Sequence, residues 1–174
     1  FLPYHRDPVS LARPWATPGI VGLEHRLGGL SKAPETGNVS YAPEHNETMN
    51  RERAEKVARL ADVIAPAEVY GAQTGKLLVL SWGGTYGAVR VASSLAYKAG
   101  KAVGHLHLRH LNPFPRNLGD IFRRFDTVLI PEMNMGQLAL LIRGKFGIDV
   151  VQYNRLHTHP LKIAEIKAEI DKLV

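Results

Sequence analysis

The segment that most constrains this chain runs from Lys76 to Pro115 and reads as strand, glycine turn, helix and strand. Leu77 to Trp82 is a short apolar run, which is typical of a strand buried on both faces. Gly83 and Gly84 then turn the chain, and a helix follows as far as the capping residue Gly100. Two strands joined by a helix are predicted to lie parallel, because only a long crossover connects parallel neighbours.

The same alternation continues to the end of the chain. Six apolar residues at helical spacing are predicted to face the core from the first helix: Ala88, Val91, Ala92, Leu95, Ala96 and Ala99. Strand patterns follow at Ala102–Leu108, Thr127–Ile130 and Ile148–Tyr153, and Asn117 can cap a short helix between them. The pattern predicts an α/β fold, a three-layer sandwich around a mainly parallel sheet of four or five strands.

Residues 1–47 have a different composition. Six of the eleven prolines and five glycines lie there, with little periodicity. We expect an extended N-terminal arm whose apolar residues dock on another chain or domain; the alternative is a disordered linker. A helix is predicted from Thr48 to Ile64, so the α/β domain is expected to span residues 48–174.

Composition limits the chemistry of the chain. It contains no cysteine, which excludes disulfides and cysteine-held clusters within it and is compatible with a cytoplasmic location. The net charge of +6 comes from scattered residues, which suit anions or acidic partners and do not favour nucleic acid. No apolar run is long enough to span a membrane, and the first residues do not resemble a signal peptide.

Polar groups are expected to share the edge where the parallel strands end. The turn Gly83-Gly84-Thr85 could offer backbone N–H groups to an anion, although it could equally be only a tight turn. It lacks the lysine of a Walker loop and the spacing of the dinucleotide fingerprint.

Two further polar motifs follow the next strands. Arg109 could hold a carboxylate and His110 could transfer a proton, whereas Asn112 and two prolines could also make a purely structural corner. Glu132 and Asn134 occupy the corresponding place one strand later, with helix capping as the structural alternative.

Histidines form a separate pattern. His105 and His107 alternate with Arg109 along one strand and therefore share a face. A metal site and hydrogen-bonded structural histidines are the two interpretations, and no nearby carboxylate favours the metal. Glu24-His25 is an acid beside an imidazole. One such pair is weak evidence for a functional site, since charged neighbours are common on protein surfaces. No catalytic triad, paired-carboxylate site or metal motif is present, so no catalytic or metal-binding residue is assigned.

Taken together, the motifs resemble the C-terminal part of the alpha subunit of 2-oxoacid:ferredoxin oxidoreductases, and within that family the 2-oxoglutarate branch, 2-oxoglutarate synthase. The resemblance covers nearly the whole chain except the tail after Tyr153. The motifs that carry it are Ala12–Gly19, Gly22–His25, Gly37–Tyr41, Ser81–Gly87, His107–Pro115 and Pro131–Leu138.

The resemblance implies an enzyme that decarboxylates a 2-oxoacid on thiamine diphosphate and Mg, passes electrons through iron–sulfur clusters to ferredoxin and makes an acyl-CoA. It implies a domain similar to the C-terminal domain of transketolase, which supports subunit contacts and the active-site surroundings and binds none of these cofactors alone. Its partners would be other alpha-subunit domains and the beta subunit, as hetero-oligomer or homodimer contacts. Glu24, His25 and Arg26 would face a neighbouring domain.

Two alternatives remain open from the residues. One is a stand-alone anion- or nucleotide-binding module that uses the Gly83-Gly84-Thr85 turn. The other is a structural dimerisation domain without a ligand.

Overall fold

The computed structural model describes residues 1–174 and divides into two compact units, Phe1–Ile64 and Ala65–Val174. The predicted domain boundary at residue 48 therefore differs from the observed division, because the helix after the arm groups with the arm. None of the helices combines the length and the apolar character that crossing a membrane requires.

The N-terminal unit consists of an irregular arm and helix α1, Pro43–Arg59, which continues into a short 3₁₀ turn. The helix starts five residues before the predicted position, since its first turn is polar and carries no apolar periodicity. Arg6 forms a 2.7 Å ion pair with Glu52, and Arg59 donates to the carbonyls of Pro8 and Val9 at 2.8 and 2.6 Å. These contacts join the arm to α1.

The second unit is a five-stranded sheet with the strand order β1-β3-β2-β4-β5. Strand β1 is antiparallel to β3, and all other pairs are parallel. This confirms the predicted α/β class and mainly parallel sheet. The strands are β1 Val69–Gly71, β2 Gly75–Trp82, β3 Val103–Leu108, β4 Phe125–Glu132 and β5 Val151–Asn154; the helices are α2 Tyr86–Lys98, α3 Leu118–Phe122, α4 Gln137–Phe146 and α5 Ile163–Leu173.

Helices cover both faces of this sheet, as a three-layer arrangement requires. On one face α2 and α5 pack against alternate residues of β2 and β3, among them Leu77, Val79 and Val103. On the other face α3 and α4 pack against the intervening residues, among them Leu78, Leu80 and Leu106. Because both faces are covered, the central strands are almost continuously apolar.

The buried side of α2 is rotated from the predicted stripe. Val89 and Ser93 are buried beside Ala92 and Ala96, whereas Val91 and Leu95 are exposed by 42% and 46%. An alanine-rich helix has two adjacent faces of similar polarity, so packing against α5 and the sheet decides which one is buried.

Candidate functional site

Three strands end at one edge of the sheet. Trp82, the last residue of β2, pairs in register with Leu108, the last residue of β3. On the other side of β2, the indole Nε1 of Trp82 lies 3.4 Å from Oε2 of Glu132, the last residue of β4. The segments that begin at Gly83, Arg109 and Glu132 therefore follow one another along this edge, as the parallel strands predict.

The turn after β2 is fixed by Thr85. Its hydroxyl donates to the carbonyl of Trp82 at 2.8 Å and accepts from the Trp82 amide at 3.3 Å. Gly83 has a φ of +55°, in the left-handed region that favours glycine. Gly83 and Gly84 are exposed beside open space, whereas the Thr85 side chain is committed to the turn.

Glu132, the last residue of β4, and Asn134 cap helix α4. Glu132 is 0% exposed, and its carboxylate accepts from the amides of Leu138 and Ala139 at 2.9 and 3.0 Å. It also accepts from the Asn134 side chain at 2.9 Å, while Asn134 Oδ1 accepts from the Gly136 amide at 2.7 Å. Capping, the structural interpretation of this motif, is what the geometry shows.

A cleft of about 610 Å³ opens beside the end of β3. It contains two of the predicted site residues, Arg109 and His110, which are both exposed. Asn112, which precedes a cis proline, is exposed and does not line it. The lining residues are Ala65, Pro66, Ala67, Glu68, Val69, Tyr70, Tyr86, Arg90, His105, His107, Arg109, His110 and Pro115.

One wall of the cleft is held by Asn117. The sequence predicts that this residue caps α3, but its side chain makes no cap hydrogen bond there. It instead accepts from the amide of Ala67 and donates to the Ala67 carbonyl, both at 2.9 Å. This pair of bonds pins the segment before β1 in the way that a neighbouring strand would.

A histidine–serine–histidine chain lies at the inner end of the cleft. The hydroxyl of Ser81 is 2.8 Å from Nε2 of His105 and 2.8 Å from Nδ1 of His107. His105 is 2% exposed, and its remaining nitrogen, Nδ1, is buried without a partner. The hydrogen-bonded interpretation of these histidines therefore fits the geometry. No group of three or more potential ligands from His, Cys, Asp and Glu is gathered closely enough to hold a metal ion.

Both rings are held in the neutral form. Burial lowers the pKa of His105 to about 3, with smaller contributions from the charges of Arg90 and His107. Burial also lowers the pKa of His107, and the Arg109 guanidinium adds to this effect. Near neutral pH the two imidazoles therefore act as uncharged hydrogen-bonding groups.

Two aromatic residues and an arginine complete the cleft. The Arg90 guanidinium carbon lies 3.1 Å from the centroid of the Tyr70 ring, and the Tyr70 hydroxyl is 3.1 Å from Oγ of Ser94. The Tyr86 ring packs edge-on against His107 at 4.9 Å between centroids. Sequence reasoning missed this group, because Tyr86 and Arg90 are one helical turn apart and reach the histidines only through the packing of α2 on β3.

The predicted arm residues lie in the N-terminal unit. Glu24 accepts from the amide of Gly22 at 2.8 Å, so the carboxylate closes a local turn. The His25 ring donates to the Leu23 carbonyl at 2.9 Å and does not pair with its neighbour Glu24. Arg26 is exposed and makes no hydrogen bond or ion pair within the chain.

Comparisons with known proteins point to one family. No protein-family model matches the chain. It is 45% identical over 152 residues to the 2-oxoglutarate oxidoreductase subunit KorA of Mycobacterium tuberculosis, covering 86% of this chain. It is 27% identical over 147 residues to the 2-oxoacid:ferredoxin oxidoreductase subunit alpha of Saccharolobus solfataricus, covering 80% of this chain.

A solved structure from the same family is also similar to the chain. The 2-oxoglutarate:ferredoxin oxidoreductase of Magnetococcus marinus, with 2-oxoglutarate, coenzyme A and succinyl-CoA bound, matches 97% of this chain with a TM-score of 0.87 and 27% identity. The chain spans 23% of the length of each curated relative and 30% of the solved chain. It therefore belongs, as about a quarter of the whole, to the alpha subunits of the 2-oxoacid:ferredoxin oxidoreductase family.

Proposed function

We propose that the chain is the C-terminal domain of the alpha subunit of a 2-oxoglutarate:ferredoxin oxidoreductase. The whole enzyme would oxidatively decarboxylate 2-oxoglutarate on thiamine diphosphate, form an acyl-CoA and pass electrons to ferredoxin. The observation that carries this proposal is the agreement of sequence and fold with the 2-oxoglutarate branch along almost the entire chain.

The role of this domain within the enzyme would be to support assembly and to shape the surroundings of the active site. The chain has no cysteine to hold an iron–sulfur cluster and no gathered carboxylates to hold the Mg of thiamine diphosphate. We therefore assign these groups to the remainder of the alpha subunit and to the beta subunit.

The strand-end edge is the part of the domain that would face the active-site domains. Arg109 and His110 project from it without an ion pair or hydrogen bond inside the chain. A guanidinium in that position can bind a carboxylate or phosphate through two hydrogen bonds, from a neighbouring domain or from a bound molecule. Glu132 and Asn134 would contribute indirectly, since they fix α4 and the chain at the same edge.

The arm would pack against other parts of the enzyme. Its large apolar side chains are strongly exposed, Trp15 by 94% and Val21 by 91%. Exposed aromatic and apolar side chains grouped in one segment are typical of a surface that a partner covers. Val91 and Leu95 of α2, with Leu140 and Leu141 of α4, add exposed apolar surface to the second unit.

The experiment that tests the proposal uses the complete alpha subunit co-expressed with its beta subunit. The purified complex should reduce ferredoxin when 2-oxoglutarate and CoA are both present, and at least about tenfold more slowly with pyruvate. An assembled, cofactor-loaded complex that fails to reduce ferredoxin with any 2-oxoacid would overturn the assignment.

A further inference from the structure

Two arginines in the cleft have no acidic partner. Arg90 is half-buried and stacked on Tyr70, and Arg109 is exposed; neither forms an ion pair or a hydrogen bond with a protein group. By contrast, Arg123 and Arg143 of the same unit are paired with Asp120 and Asp149. The stacking fixes the plane of the Arg90 guanidinium while leaving all its N–H groups available.

The buried nitrogen of His105 determines how the serine chain is protonated. A buried N–H without an acceptor is rarer in protein interiors than an acceptor with an unused lone pair, so Nδ1 of His105 is assigned as bare. The proton then lies on Nε2 of His105 and is donated to the Ser81 oxygen. The Ser81 hydroxyl in turn donates to Nδ1 of His107.

This assignment leaves the proton of His107 on Nε2. His107 is half-buried, lines the cleft and has no protein partner at that atom. The ring therefore offers a neutral N–H donor in the same cleft as the two guanidinium groups. One buried unpaired nitrogen thus sets the tautomers of both histidines through a single serine.

We propose that the cleft binds an organic anion, whose carboxylate or phosphate group accepts hydrogen bonds from Arg90, Arg109 and Nε2 of His107. The aromatic wall formed by Tyr70 and Tyr86 packs against the remainder of the molecule. Carboxylate and phosphate share the property that the site recognises, which is a set of acceptor oxygens carrying negative charge. The inference does not depend on the proposed reaction, because every group it uses belongs to this chain.

The remaining charged and polar groups of the cleft agree with an anionic ligand. Glu68 is the single carboxylate of the lining, and it is exposed and pairs with neither arginine. His110 is exposed and lines the cleft, where its imidazole is a further hydrogen-bonding group. The Tyr70 hydroxyl hydrogen-bonds to Ser94, and the face of the Tyr70 ring stacks against the Arg90 guanidinium.

The test uses the full 174-residue chain with ¹⁵N-labelled histidine, titrated separately with inorganic phosphate and with acetate. The free chain should show His107 with a proton on Nε2 and a bare Nδ1. A saturable shift of the His107 resonances by phosphate, by acetate or by both would support the site and tell which acid group it prefers. Absence of a saturable shift with both probes would overturn it.

Substitutions separate this cleft from general attraction to a basic protein. Arg90→Gln and Arg109→Gln should each weaken binding by at least about tenfold, since each removes charge-assisted hydrogen bonds. Arg124→Gln is the matched control, because Arg124 is an exposed arginine of the same unit without a side-chain partner and outside the cleft. Equal weakening by all three substitutions would contradict the proposal. Arg109 is exposed, so its variant keeps the test valid even if Arg90→Gln disturbs folding.

Discussion

The Ser81 hydroxyl lies 2.8 Å from Nδ1 of His107, its register partner on the neighbouring parallel strand. The same hydroxyl serves His105, the other histidine of that strand face. Ser81 of β2 thus hydrogen-bonds one nitrogen of each of two imidazoles, buried His105 and half-buried His107. This one hydroxyl therefore links the two histidines that line the cleft.

Replacing Ser81 by alanine should lower the free energy of unfolding by about 2 kcal/mol, because His105 then keeps two buried nitrogens without a partner. Urea denaturation measures the change. Ser93→Ala is the matched control: Ser93 is equally buried, but its hydroxyl has no hydrogen-bond partner, so its loss should be neutral or stabilising. Equal destabilisation by the two substitutions would show that the bridge contributes nothing.

The stability of the protein should fall in acid through His105. The pKa of this ring is about 3 in the folded chain, below its ordinary value of 6.5, so the unfolded state binds the proton more readily. The contribution is complete above pH 6.5 and is lost progressively as the pH falls toward 3. Between pH 7 and pH 5 the loss should be about 2 kcal/mol.

A His105→Gln variant should lack this component, since it has no ring to protonate. Comparing urea midpoints of the two proteins at pH 7 and pH 5 isolates the effect, because both proteins contain His107, whose pKa is also lowered, and the carboxylates of Asp7, Asp149 and Asp171. Parallel losses in the original protein and the variant would refute the assignment to His105.

Glu132→Ala should destabilise the chain by about 3 kcal/mol, because the amides of Leu138 and Ala139 lose their buried acceptor at the start of α4. Chemical denaturation gives the value directly. Asp126→Ala provides the control, since Asp126 is an exposed acid of the same strand with no side-chain partner; its cost should stay within about 0.5 kcal/mol. A similar cost for both would remove the capping role.

The central sheet and the cleft differ in how well the sequence predicts them. Apolar runs and glycine turns predicted the central strands, and their parallel order predicted that Gly83, Arg109 and Glu132 follow one edge. The cleft was not predictable in the same way. Ser81 gives no signal inside an apolar strand, and Arg90 meets Tyr70 only because β1 pairs antiparallel to β3. Both contacts arise from tertiary packing, which local periodicity does not encode.

Two local predictions, the role of Asn117 and the start of α1, differ from the structure for similar reasons. Asn117 has the composition of a helix cap, but the unpaired backbone of Ala67 lies close enough to bind both its amide atoms. Helix α1 starts at Pro43 and not at the predicted Thr48, because its first turn has no apolar residues at helical spacing.

Trp15→Ala tests the docking role of the arm. In the chain alone the change should cost less than about 0.5 kcal/mol, because the indole is 94% exposed. In the complete enzyme it should cost about 2 kcal/mol, as for an aromatic residue anchored in an interface. Urea midpoints of the two preparations, with Trp15→Phe as the conservative control, measure both values. An equally small cost in the complete enzyme would mean that nothing covers this side chain.

The most direct test of the proposed function is turnover of 2-oxoglutarate, together with subunit stoichiometry, in a complete complex that carries Arg109→Ala. Arg109 leaves the strand-end edge without a partner in this chain, so its loss should reduce turnover by at least about tenfold or release a subunit. Arg124→Ala, made in parallel, should leave both quantities unchanged. Original turnover and original stoichiometry in the Arg109→Ala complex would contradict the account.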